Sequence, residues 1–169
     1  VNMEDALRLN VAGVAFSILV GADFERDTLL EFTKWCDECQ RYGIPMIAVT
    51  AVGKEMARDE KYMSLASRIA AELGAHIVKT YFVDGFERLV EKVPVPVVIA
   101  GGKKLPELDA LKMTAQALHA GAVGVDMGRN IFQAEDPISM IKAVRAVVHE
   151  KHTPDEAFSL YHELMKKSK

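Results

Sequence analysis

The chain has 169 residues, half of them hydrophobic and 27% charged, a composition typical of a globular protein and not of a disordered one. The formal net charge is −3, so no overall basic field exists to attract nucleic acid or an acidic membrane. No apolar run reaches the roughly 18 residues that a membrane-spanning helix needs, and the opening Val-Asn-Met-Glu-Asp is not a signal peptide. We therefore expect a cytoplasmic protein without nucleic-acid or membrane partners.

Short apolar segments alternate along the chain with longer amphipathic ones, which predicts alternating strands and helices. Runs rich in Val, Ile and Ala predict strands over Val14–Val20, Pro45–Thr50, His76–Tyr81, Val95–Ala100 and Ala122–Met127. The amphipathic stretches predict helices over Met3–Asn10, Glu25–Tyr42, Lys61–Leu73, Gly85–Lys92, Pro106–Ala120, Pro137–Glu150 and Pro154–Lys166. Apolar strands of this kind indicate a parallel sheet covered on both faces. An open doubly wound sheet and a (β/α)8 barrel both fit this order.

The two cysteines, Cys36 and Cys39, form a CxxC motif inside the second predicted helix. Such a motif serves as a redox pair or as half of a zinc site. Zinc would need two further ligands, and neither a second CxxC nor an HxxxH follows, so no metal site is predicted. In a helical pattern, cysteine is more simply a small core residue.

Lys79 stands near the carboxyl end of a predicted buried strand, within Ile-Val-Lys-Thr-Tyr. Lysine is seldom buried without a partner, and an amine removed from water favours its neutral, nucleophilic form. Barrel enzymes keep their catalytic groups at this end of their strands. The alternative is a lysine that pairs with a nearby acid or extends to solvent at the strand end.

The next two predicted strands each end in glycines followed by a cation. Gly101 and Gly102 precede Lys103, and Gly128 precedes Arg129. Glycine lets backbone N–H groups approach an anion, and a neighbouring lysine or arginine adds positive charge. Barrels often bind phosphate with the loops after their last two strands, so the two loops together predict a phosphate site.

Other polar residues at strand ends are candidates for the mouth of the same site. Thr50, Lys54 and Arg58 lie at or after the end of the second predicted strand, and Asp126 ends the last. For Asp126, a hydrogen-bonded buried carboxylate is an equally good interpretation.

The motifs around Lys79, Lys103 and Arg129, in particular Val-Ile-Ala-Gly-Gly-Lys-Lys-Leu-Pro and Gly-Val-Asp-Met-Gly-Arg-Asn-Ile-Phe-Gln, resemble the class I (Schiff-base) aldolase family of archaeal type. The resemblance covers essentially the whole chain. It implies a (β/α)8 barrel in which residues 1–169 form the C-terminal portion of one domain, about strands 4 to 8, with Lys79 as the Schiff-base residue. The residues implied to hold the substrate phosphate are Gly101, Gly102 and Lys103 after the seventh strand, and Gly128 and Arg129 after the eighth.

Within that family, the chain is most similar to the branch that acts in autoinducer-2 breakdown. The likeness implies cleavage of a carbon–carbon bond in a phosphorylated dione and transfer of the acetyl group to coenzyme A, which leaves dihydroxyacetone phosphate. Coenzyme A is then a co-substrate, no bound cofactor is expected, and a homo-oligomer is implied. The fructose-bisphosphate aldolases of the family carry a catalytic tyrosine where Thr50 stands, which disfavours the alternative of a sugar-phosphate aldolase.

The family's first three strands, with an acidic residue that serves the chemistry, have no counterpart in this sequence. A barrel of this type takes about 250 residues. We therefore expect a truncated barrel with an uncovered interior, and no normal turnover from these 169 residues alone. A third interpretation is a non-catalytic phosphate-binding fragment, or a half-barrel that self-associates through its open edges.

Overall fold

The computed structural model describes residues 2–53 and 56–168, so Lys54, one of the predicted mouth residues, lies outside the described part. The chain divides into two compact units, Val1–Val97 and Val98–Lys169. The described elements of the first unit are α1 (Met3–Arg8), β1 (Val14–Val20), α2 (Glu25–Tyr42), β2 (Met46–Val52), α3 (Glu60–Glu72), β3 (Ile77–Tyr81) and α4 (Phe86–Lys92).

The strands of the first unit pair in parallel in the order β1-β2-β3. Helix α2 packs on β1, and α3 packs on β2 and β3. One face of each strand is buried by this packing: Met46 and Ala48 of β2 and Val78 of β3 are fully buried. The alternating residues of the same strands, such as Ile47 and Val49, are only half-buried. Among the described residues of this unit, the second face is only partly covered, so the expectation that both faces are fully covered is wrong for it.

Local side-chain chemistry places the helix ends of the first unit. Asp59 caps α3 by accepting a hydrogen bond of 3.0 Å from the Tyr62 N–H, so the helix begins at Glu60, one residue earlier than predicted. Helix α2 ends at Gly43, whose φ of 69° continues the chain in the left-handed conformation that glycine tolerates.

The second unit contains two parallel strands and a helical layer. Its described elements are β4 (Val97–Ala100), α5 (Glu107–His119), β5 (Gly124–Asp126), α6 (Arg129–Phe132), α7 (Pro137–Glu150) and α8 (Pro154–Ser168). Helices α5, α7 and α8 enclose a core that includes Leu111, Met140 and Tyr161. The one-turn helix α6 was not predicted, because four residues carry no periodic apolar pattern.

Two predicted helix starts in this unit are confirmed. Asp136 accepts hydrogen bonds of 3.1 and 3.2 Å from the first N–H groups of α7. At α8, Thr153 and Glu156 form a reciprocal pair: the Glu156 carboxylate accepts the Thr153 N–H at 2.8 Å, and the Thr153 hydroxyl accepts the Glu156 N–H at 3.3 Å.

Cys36 and Cys39 are both free thiols on the buried face of α2. Burial raises the pKa of Cys36 to about 12 and also raises the pKa of Cys39. A thiol that keeps its proton is a poor nucleophile and a poor metal ligand, which agrees with the interpretation as core residues. Within residues 2–53 and 56–168, no helix is long and apolar enough to span a bilayer.

Candidate active site

Lys79 stands on the open face of the first unit's sheet. Its neighbours in β3, Val78 and Thr80, are fully buried, whereas the Lys79 side chain points the other way and is half-buried. The strand register aligns Lys79 with Val49, which is aligned in turn with Ser17. Most residues of this face are aliphatic, so the surface around Lys79 is mainly apolar. The described helices of the same unit pack on the opposite face.

Thr50 does not share this face. It follows Val49 in β2 and therefore points to the helix-covered side, where its side chain is 2% exposed. Its hydroxyl donates a long hydrogen bond, 3.3 Å, to the carbonyl of Lys79. Thr50 thus contacts the backbone of Lys79 from the helix-covered side. The interpretation of Thr50 as a mouth residue is therefore wrong.

A matched pair of threonine substitutions tests this role. Thr50→Val removes a hydroxyl that is hydrogen-bonded, so we expect the free energy of unfolding to fall by about 1 kcal/mol. Thr80→Val removes a hydroxyl that is buried and finds no partner among the described residues, so we expect no loss, or a gain of up to ~1 kcal/mol. Urea unfolding measures both. Equal losses would contradict the assignment.

Arg58 lies close to the carboxyl end of the lysine strand. Its guanidinium carbon is 4.9 Å from the centre of the Tyr81 ring, and Tyr81 shares a strand face with Lys79, two residues on. Arg58 is exposed. Arg58 is therefore placed beside β3 as a cation held on an aromatic ring.

The two glycine loops of the second unit meet in space. A Cβ atom on the buried Gly101 would lie 2.9 Å from Cγ of Met127 and 3.0 Å from Nδ2 of Asn130, closer than side-chain atoms approach one another. Gly102 has a φ of 65°, which disfavours any other residue. Gly101 thus lets the loop after β4 lie directly against the loop after β5, and Gly102 lets the backbone turn beside it.

Asn130 joins these loops, and the sequence interpretation did not single it out. Its side chain is fully buried. Nδ2 donates to the Gly101 carbonyl at 2.6 Å, and Oδ1 accepts the Leu105 N–H at 2.7 Å. The only sequence signal was its place in Gly128-Arg-Asn, since nothing in a single sequence shows that an asparagine is buried.

The three cations of these loops, Lys103, Lys104 and Arg129, differ in exposure and in their hydrogen bonds within the chain. The Lys104 amine donates to the Leu105 carbonyl and to the Glu107 carboxylate, each at 2.7 Å. Lys103 and Arg129 are exposed, and within the described part of the chain neither forms an ion pair. Asp126, aligned with Ala100, is exposed as well, so the buried-carboxylate interpretation is wrong. Lys103 and Arg129 are the cations that a ligand would meet.

The pairing of Lys104 with Glu107 makes stability depend on pH. Its hydrogen bond lowers the pKa of Glu107 below the ordinary 4.5. A lowered carboxyl pKa stabilises the fold above the ordinary value, and that stability is lost as the pH falls through the folded value. We expect Lys104→Met to lower the free energy of unfolding at neutral pH by about 0.5–1 kcal/mol.

The difference between Lys104→Met and the wild type should shrink as the pH is lowered from about 6 to about 3. Urea unfolding at a series of pH values measures it, with Lys112→Met as the control, because Lys112 is exposed on α5. If the difference in free energy of unfolding stays constant across this pH range, the Lys104–Glu107 pair does not contribute to stability.

The fold and these residues together define a class of protein. Residues 1–134 match the family of DeoC/LacD aldolases, and the chain belongs to that family. The sequence prediction of an α/β chain that forms part of a (β/α)8 barrel is confirmed by its likeness to solved aldolases.

The chain is similar to two curated bacterial proteins over 162 residues. It is 57% identical to the 3-hydroxy-5-phosphonooxypentane-2,4-dione thiolase of Photorhabdus laumondii and 58% identical to an uncharacterised aldolase of Pasteurella multocida. Each match covers 95% of this chain and 56% of the relative. The chain therefore spans little more than half the length of these relatives.

A solved structure is similar as well. An archaeal fructose-1,6-bisphosphate aldolase, with its catalytic lysine covalently bound to the carbinolamine intermediate of the substrate, has a TM-score of 0.80 and 29% identity. The match covers 87% of this chain and 62% of that chain. The predicted relation to Schiff-base aldolases is thus confirmed at the level of the family.

Proposed function

We propose that this chain carries the Schiff-base lysine of an enzyme that cleaves a carbon–carbon bond in a phosphorylated keto substrate. The substrate we propose is 3-hydroxy-5-phosphonooxypentane-2,4-dione, and the acetyl acceptor is coenzyme A. The observation that carries the proposal is Lys79, an amine on a half-buried, mainly aliphatic strand face in a member of an aldolase family.

The chemistry follows from the properties of an amine. Nζ of Lys79 attacks the keto carbon beside the phosphate-bearing methylene, and loss of water gives an iminium ion. The thiol of coenzyme A, which loses its proton, attacks the other keto carbon. The bond between that carbon and the hydroxyl-bearing carbon breaks, and its electron pair moves into the iminium to form an enamine. Protonation of the enamine carbon and hydrolysis release dihydroxyacetone phosphate and restore Lys79.

The phosphate group is the proposed ligand of the second unit's loops. Gly101 and Gly102 allow close approach of the backbone, and Lys103 adds an exposed charge. Gly128 and Arg129 follow β5, and a guanidinium suits bidentate binding of phosphate oxygens. Asp126 remains a candidate for proton transfer because its exposed carboxylate ends the same strand.

Borohydride trapping tests the covalent step. Incubation of the chain with the phosphorylated dione and borohydride should reduce the iminium to a stable secondary amine, and peptide mass spectrometry should locate it at Lys79. A control incubation without substrate should leave Lys79 unmodified. If the intact protein acquires no label, or if the label falls on another lysine, the proposed mechanism is wrong.

A sugar-phosphate aldolase is the second candidate, favoured by the likeness to the archaeal fructose-bisphosphate aldolase. Such an enzyme would form the same iminium but would release an aldehyde without any thiol. Product formation measured with and without coenzyme A separates the two: acetyl-coenzyme A should form only in the thiolase reaction.

We also propose that the working enzyme is a cytoplasmic homo-oligomer in which the acidic group of the first barrel strand comes from outside these 169 residues. Two buried, unpaired cysteines suit a reducing compartment. The competing proposal is an inactive phosphate-binding fragment. Mass measured in solution tests the oligomer, and turnover of the 169-residue chain tests both proposals. Ordinary turnover by this chain alone would exclude an inactive fragment and would also contradict an acidic group supplied from outside.

A further inference from the structure

We infer that Asn130 is a positioning residue of the proposed phosphate site. Its buried carboxamide fixes the loop Gly101–Leu105 against the loop Gly128–Arg129, so that the backbone and cations of both loops are ready for one phosphate. The inference rests on the proposed function of these loops and adds a residue that touches no substrate itself.

The hydrogen bonds of Asn130 hold the first loop at both of its ends. Nδ2 donates to the Gly101 carbonyl at 2.6 Å, and Oδ1 accepts from the Leu105 N–H at 2.7 Å. The stretch between these points, Gly102 to Lys104, is thereby closed into a short arch. Because one planar amide supplies both contacts from a fully buried side chain, neither end of the arch can shift without breaking a hydrogen bond to that side chain.

The packing around Gly101 also holds the two loops together. Gly101 lies so close to Met127 and to Asn130 that a Cβ atom would meet them at 2.9 and 3.0 Å. Asn130 is adjacent in the chain to Arg129, so a carboxamide anchored on Gly101 also determines where the arginine backbone stands relative to the arch.

The arch leaves donors open to a ligand. Within the described residues, the N–H groups of Gly102 and Lys103 donate no hydrogen bond, although most backbone N–H groups in folded proteins have a partner. Successive free N–H groups in a tight loop form an anion-binding concavity. Asn130 holds this concavity open without using its donors.

Inorganic phosphate is the probe, and isothermal titration calorimetry of the chain is the measurement. Asn130→Asp keeps the side-chain shape but sets a carboxylate oxygen against the Gly101 carbonyl. We expect phosphate affinity to fall about tenfold or more. The control is Gln116→Glu, which makes the same chemical change on the exposed surface of α5 and should leave affinity within about twofold.

A double-mutant cycle separates positioning from general stability. If Asn130 acts by presenting Lys103, the losses from Asn130→Asp and Lys103→Ala should be strongly non-additive, whereas independent effects should add. Full additivity would overturn the inference. So would an unchanged affinity in Asn130→Asp when the wild type binds phosphate. A wild type that binds none would overturn the proposed phosphate role itself.

Amide hydrogen exchange on the wild type needs no variant and applies even if Asn130→Asp does not fold. Phosphate should slow exchange at Gly102 and Lys103, which would bind it, and at Leu105, which Asn130 holds. Protection at Gly102 and Lys103 without any at Leu105 would overturn the positioning role.

Discussion

Replacing Lys79 with methionine should abolish the adduct that borohydride traps in this chain. In an enzyme completed by the proposed acidic group from outside these 169 residues, it should also lower turnover of the phosphorylated dione by ~10³-fold or more, the scale seen when a covalent nucleophile is removed. Methionine keeps the length of an apolar side chain on the half-open strand face but has no amine. Mass spectrometry of the trapped protein and steady-state kinetics measure the two effects.

Lys112→Met serves as the control for this variant, since that lysine is exposed on α5 and has no part in the proposed site. It should trap and turn over like the wild type. Urea unfolding of Lys79→Met should still show a cooperative transition, because methionine suits the half-buried, mainly aliphatic strand face. Adduct formation that persists in Lys79→Met would assign the chemistry to a different lysine.

In the enzyme completed by the proposed acidic group from outside these 169 residues, Lys103→Ala should raise KM for the phosphorylated substrate by about 10- to 100-fold, the range expected for one hydrogen bond to a charged group. The kcat should change little, because a phosphate contact remote from the breaking bond binds the ground state and the transition state equally. Lys104→Ala, one residue on, should leave KM nearly unchanged, since its amine already donates to Leu105 and Glu107.

The adjacent lysines thus serve as each other's control, and steady-state kinetics of both variants is the measurement. A substrate analogue without phosphate sharpens the test: Lys103→Ala should not weaken its use. Equal rises in KM for the two lysine variants would mean that the loop does not discriminate between them in solution, contrary to the hydrogen bonds of Lys104.

Sequence patterns were sufficient for the order of the described elements other than α6. The predicted first strand, Val14–Val20, agrees with β1 residue for residue, and the second predicted helix, Glu25–Tyr42, agrees with α2. Both have strong local signals: a dense apolar run in one case, and an amphipathic repeat that ends at a glycine in the other. Strand ends were less certain; β2 continues to Val52 because it stays paired with β1 as far as Val20.

The candidate site was less predictable, because its details depend on contacts between distant residues. A strand residue faces one side or the other according to register, which is why Thr50 was assigned to the mouth although it points away from the Lys79 face. The role of Asn130 is set by the close approach of Gly101, 29 residues away. The spacing of Lys104 and Glu107 is visible in the sequence, but the fold of the loop decides that Lys104 and not Lys103 makes the contact.

The parallel pairing of β1 with β2 has a consequence for the time course of folding. Every one of its aligned pairs, from Val14 with Met46 to Val20 with Val52, joins residues separated by the whole of α2. A parallel pair has no tight hairpin from which to grow, so the chain must close this long segment before the first pair forms. We expect α2 to form early and the β1–β2 ladder to appear late, as the slow, sequence-distant step of folding.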